Sequence, residues 1–107
     1  MLEGHIDFFV DATEDGVSPL FNSYILDWGL FALGEFGGAT VQLEISPSPR
    51  TPDPDDMKWI VHPNGVFDDE DYRNADLCDC TFRARIQGAT GTTNITFVAR
   101  PRIEKTI

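Results

Sequence analysis

The stretch GGATVQLEISPSP, residues 37–49, decides the fold. Its alternation places Val41, Leu43 and Ile45 on one face of a strand and Gln42, Glu44 and Ser46 on the other, so that one side enters a core while the other meets water. The two glycines permit a tight entry. Pro47 and Pro49 lack backbone donors and hold φ near roughly −65°, so no hydrogen-bonded ladder continues through them. The segment reads as a half-buried antiparallel strand over 39–45 that stops by Ser46 and releases a stiff loop.

Outward from this strand, the same signals recur. Alternating or apolar runs predict strands at 5–10, 22–28, 30–36, 58–62, 80–87 and 93–103, with 22–28 and 30–36 hinged around Gly29. Turn chemistry separates them: EDG at 14–16, PNG at 63–65 and GATGT at 88–92. No window repeats apolar residues at i, i+3, i+4 and i+7 for long enough to form an amphipathic helix. The expected fold is all-β, a small antiparallel β-sandwich or jelly-roll-like domain of about seven to eight strands. At 107 residues, it forms one domain without internal repeats. Two segments read as exposed loops: 46–56, with four prolines in eleven residues, and the acidic 68–76, which has room for a single helical turn.

The net charge of −10 repels nucleic-acid backbones and anionic lipid, so neither is an expected partner. Charge is also uneven along the chain. Residues 53–79 hold nine acids against Lys58 and Arg73, whereas from Cys80 onward five bases face Glu104 alone. This asymmetry suits oriented docking between proteins. The first ten residues contain neither a basic leader nor a long apolar run, which predicts synthesis in a cytosol and no membrane anchor. Cys78 and Cys80 stand two apart, where a mutual disulfide is strained, and no second pair completes a zinc site; they read as reduced structural thiols.

Nucleophilic catalysis needs a hydroxyl or thiol beside an oriented histidine, but His5 and His62 stand outside any such motif. The acids cluster in loops where water keeps them ionised, whereas acid–base catalysis needs two carboxyls in contrasting environments. Asp68, Glu70 and Tyr72 do not continue into the glycine and terminal glutamate of a calcium loop. FGG and GATG precede no helix that would hold phosphate, and NIT at 94–96 lies within a strand. The reading is therefore a non-enzyme without cofactor or metal. Arg83 and Arg85 alternate with Phe82, Ala84 and Ile86 to give a basic outer stripe, which either balances the acids or docks carboxylates on another subunit.

The succession from GGATVQLEISPSP through MKWIVH to FRARIQGATGTTNITF resembles small structural proteins of tailed bacteriophages. In those, a strand Gly-Ala-Thr-Val-x-Leu-x-x-Ser-Pro leads to a tryptophan, and a later Arg-Ala strand runs through Gly-Ala-Thr into a Thr-rich strand. The matching positions are Gly38 to Pro47, Trp59, Arg83 with Ala84, and 88–96. The resemblance covers 37–98; the loop after Ser46–Pro47 is longer than in the pattern, and the strands before residue 37 match none of it. It implies a noncatalytic capsid or tail component with a β-sandwich core, assembled in the host cytoplasm, and foremost a capsid decoration or cement protein that binds the major capsid protein through loops and strand edges and forms homo-oligomers. The contacts expected under that reading are Leu2 and His5 in the N-terminal segment, Pro49, Arg50 and Pro52 in the stiff loop, and Arg83, Arg85, Arg100 and Arg102. A second reading, a carbohydrate- or receptor-binding module of a phage tail or fibre, calls instead for Trp28, Trp59 or Tyr72 to stack on sugar rings.

Overall fold

The computed structural model describes residues 5–23, 27–47, 54–78 and 80–102. Two antiparallel sheets pack face to face. In chain order the strands are β1 (Ile6–Ala12), β2 (Gly16–Val17), β3 (Phe21–Ser23), β4 (Asp27–Glu35), β5 (Thr40–Ser46), β6 (Ile60–Phe67), β7 (Asp71–Asp76), β8 (Cys80–Gln87) and β9 (Asn94–Pro101). The first sheet has the order β1-β9-β4-β7. The second runs β2-β8-β5-β6, with β3 also paired to β8. The described residues contain no α-helix, only a 3-10 turn at Pro54–Asp56.

Period-two alternation builds the interior from both layers. Trp28, Leu30 and Ala32 of β4 and Ile95, Phe97 and Ala99 of β9 point inward from the first sheet, and Val41, Leu43, Phe67, Phe82, Ala84 and Ile86 from the second. Full burial of each large side chain contributes roughly 1.5–3 kcal/mol. Aromatic contacts join the layers. Phe8 of the first sheet meets Phe21 of the second edge-on at 5.4 Å and Trp28 lies 6.0 Å from Phe82, while Phe8 stacks on Phe97 within its own sheet at 5.2 Å.

The chain's best-patterned strand pairs on both sides, with β8 from Thr40↔Gln87 to Ser46↔Thr81 and with β6 through Val41↔Phe67 and Ile45↔Ile60. Its central place corrects one expectation. Glu44 and Ser46 are buried although they lie on the face read as meeting water. That face has its own cover at this end, where Trp59 lies under the Arg83 guanidinium, 4.1 Å from CZ to ring centroid.

Three further readings change. Residues 71–76 form an edge strand rather than part of an acidic loop or a helical turn, paired with β4 from Asp27↔Asp76 to Ala32↔Asp71. Gly29 is no hinge, because β4 runs unbroken through it. The ring of Tyr72 explains that glycine: a Cβ there would stand 2.8 Å from Tyr72 Cε1, so the tyrosine lies across the strand only because the side chain is absent. Residues 63–65 do not end a strand either. They form a bulge inside β6, opposite Leu43, between the pairs Gln42↔Val66 and Glu44↔Val61.

Candidate interaction surface

Arg83 is buried, and its Nε donates to Glu44 Oε1 at 2.7 Å, while Arg85 Nε donates to Glu44 Oε2 at 3.0 Å. Gln42 Nε2 adds a third bond to the same carboxylate at 2.8 Å. Burial pushes the Glu44 carboxyl up, but the bonds from Arg83, Gln42 and Arg85 outweigh it and hold the group below its ordinary pKa. The cross-strand pairs Glu44↔Arg83 and Gln42↔Arg85 set this geometry.

Arg83 is therefore not part of an exposed docking stripe, and Arg85 is engaged within its own chain. Arg100 lies on the other sheet, where Nη1 meets Asp7 Oδ1 at 3.1 Å and the Ile6 carbonyl at 3.3 Å. Arg102 is exposed beyond β9, and its backbone N–H donates to the Asp27 carbonyl. The four arginines do not converge on one surface. His5 is half-buried just before β1. Leu2, Pro49, Arg50 and Pro52 lie outside the described residues.

His62 is buried between the sheets' adjoining edges. Its Nδ1 accepts from the Asn64 N–H at 3.1 Å, so Nε2 carries the proton and donates to the Asp76 carbonyl at 2.8 Å. Both ring nitrogens are thus committed to backbone. Among the described residues, no group of three or more His, Cys, Asp or Glu side chains is arranged to hold a metal ion. Nor is any helix among them long and apolar enough to cross a membrane.

Strand edges normally offer unpaired backbone groups to a partner. Here they are blunted. On β7, the carbonyls of Asn74 and Asp76 accept from Asn64 and His62, and the Tyr72 N–H donates to Asp71 Oδ1. On β6, the Val66 carbonyl accepts from Arg73 Nη1. The β1 edge has two register breaks, and Asp11 there has φ of 51°. Only the short β2 and β3 flank β8, and between them the Ser18 hydroxyl accepts the Ala84 N–H at 2.9 Å while the Ser18 N–H donates back to the Ala84 carbonyl. Docking by strand addition, expected from the sequence, meets these obstructions at each edge.

Ile60, Val61 and Val66 of β6 are exposed, but the aromatic exposed group is on the outer face of the first sheet. Phe31 pairs with Val98 on one side and Tyr72 on the other, and Leu33 follows two residues along. Leu33 is 44% and Tyr72 48% exposed, and the Phe31 and Tyr72 rings sit 4.8 Å apart. Sequence reasoning gave this face no role, but a signal was present: the run LFALGEF is apolar on both of its alternating faces, and only one can enter the core. Of the residues proposed for sugar stacking, Trp28 is sealed in the core and Trp59 is half-buried with Arg83 against its ring, leaving Tyr72 as the exposed aromatic.

Acids border this face. Glu70 Oε2 accepts the Gly34 N–H at 2.8 Å, whereas Asp71, opposite the inward-pointing Ala32, pairs with Arg73 Nε at 3.1 Å. At the other end Asp27 and Asp76 pair directly. The hydrogen bond with Asp76, some loss of hydration and the charge of Asp76 raise the Asp27 carboxyl above its usual pKa, with Arg102 opposing.

A separate apolar cavity of about 210 Å³ lies between Ile45, Ser46, Pro47, Ile60, Cys78 and Cys80. Both cysteines are reduced, Cys78 exposed and Cys80 buried. Comparison with protein-family models, with curated proteins and with solved structures finds no match to this chain.

Proposed function

We propose that the protein is a noncatalytic structural component of a phage particle, specifically a capsid decoration protein that seats on the major capsid protein. The sequence resemblance over 37–98 supplies the phage assignment. The observation that carries the docking role is the exposed face of Phe31, Leu33 and Tyr72 on a sandwich whose edges are blunted and whose arginines 83, 85 and 100 bond to acids of the same chain. Isolated apolar residues on a surface need no explanation, whereas a contiguous aromatic and aliphatic group on one sheet face suits a protein partner. Seating through a rigid sheet face also costs little ordering entropy.

The sugar-binding alternative loses Trp28 to the core, and Trp59 is half-buried with Arg83 against its ring, leaving Tyr72 as its exposed aromatic. The test is mass spectrometry of gradient-purified particles from cells carrying the gene. The chain at a fixed ratio to the major capsid protein supports the proposal. Its absence from particles while it is abundant in the lysate overturns it.

A further inference from the structure

We infer that the outer face around Phe31, Leu33, Tyr72 and Val98 receives a basic segment of a partner protein that also carries apolar side chains; this rests on the assembly role proposed above. Charge chooses the partner. Glu35 and Glu70 flank the Leu33 end of the face, and the Asp27–Asp76 pair flanks the other. The nearby bases offset them only in part. Arg73 is folded inward over the Phe67 ring at 4.5 Å and paired with Asp71, Arg100 is held by Asp7, and Arg102 opposes the rise of the Asp27 carboxyl. The border is therefore acidic, as is the whole chain at −10, and an incoming lysine- or arginine-bearing segment is attracted where an acidic one is repelled.

Charge argues against a second copy on this face, since two copies would bring like acidic borders together. Strand addition at β7 is closed by the Asn64 and His62 bonds to its carbonyls. The segment accordingly lies across the face, its apolar side chains on Phe31 and Tyr72 and its cations toward the bordering carboxylates.

The test titrates the full-length, 15N-labelled protein with a twelve-residue peptide alternating lysine with leucine and phenylalanine, beside a control with glutamate for lysine. Shifts confined to the amides of β4, β7 and β9, weakened by salt, and loss of at least about tenfold in affinity in Leu33→Arg support the inference. Leu33 is exposed, so circular dichroism should show that variant folded; Tyr72→Ala gives a second probe that leaves the charge unchanged. Equal binding of the glutamate peptide, shifts on the other sheet, dimerisation through these residues in sedimentation, or glycan binding that Tyr72→Ala abolishes each overturns it. Two outcomes separate this inference from the assembly role. Particles that incorporate Leu33→Arg at the wild-type level refute this face alone, whereas particles lacking the wild-type chain refute the assembly role even if the lysine peptide binds here.

Discussion

Glu44→Gln is the substitution with the largest consequence for the second sheet. The carboxylate is shared between Arg83, whose side chain is only 9% exposed, and Arg85, which is 32% exposed. Removing one partner of a buried ion pair costs about 3–5 kcal/mol. Arg83 keeps its place over the Trp59 ring, a contact of about 0.5–2 kcal/mol that survives the change. Water also reaches Arg85. The expected loss is therefore about 2–3 kcal/mol, which for a domain of this size lowers Tm by roughly 10–20 °C. Urea unfolding should show a lower midpoint at unchanged slope, since the surface exposed on unfolding is the same. Adding Arg83→Met to Glu44→Gln should recover at least about 1 kcal/mol, because an apolar replacement of the pair leaves no buried cation. A loss below about 1 kcal/mol, or a double variant no more stable than the single one, would refute the argument that Glu44 is needed chiefly to neutralise Arg83.

The same carboxyl gives a pH dependence: its folded pKa is depressed, so its contribution is complete above the unfolded value of about 4.3 and is lost as pH falls through the folded value; acid titration of stability should be shallower in Glu44→Gln. The opposite sign applies to Asp27, whose raised carboxyl favours the folded state at low pH and loses that contribution as pH rises; carboxyl NMR should show it titrating above a free aspartate and returning downward in Asp76→Asn. Gly34→Ala places a Cβ 2.2 Å from the Asn94 carbonyl oxygen at a φ of 108°, so a loss above about 3 kcal/mol is expected from thermal melts, from the clash and the strained backbone together. Long-range 1H–15N spectra should find His62 protonated on Nε2, and the Nδ1–H form would contradict the bond from the Asn64 N–H. A thiol reagent should label one cysteine per native chain, Cys78, and both after unfolding.

The interior was legible because inward positions carry large apolar residues at a period of two: Val41 and Leu43, Phe82 and Ile86, Phe97 and Ala99 all lie where alternation puts them. β7 was not, because an edge strand needs few apolar residues and DYRNAD offers only Ala75, facing Trp28, within an acidic run. The cover over Glu44 was equally hidden. Alternation tells which side of a strand a residue takes, not whether a later segment such as the one bearing Trp59 returns over that side. The arginine stripe failed as a surface for the same reason, since Glu44 and Arg83 are 39 residues apart and meet only through strand register. The open face was readable in part, from the two-sided apolar character of LFALGEF, but the blunting of the edges by His62, Asn64 and Arg73 depends on contacts that no local pattern encodes.

The proposed docking site is one sheet face of a sandwich with obstructed edges. A cryo-electron microscopy map of particles purified from cells carrying the gene tests that most directly. The account predicts density for this chain on the shell, with Phe31, Leu33, Tyr72 and Val98 against a basic stretch of a neighbouring protein and no added strand beside β1 or β7. A shell without the chain, or one in which it is joined by a continuous strand ladder while that face points to solvent, would contradict it.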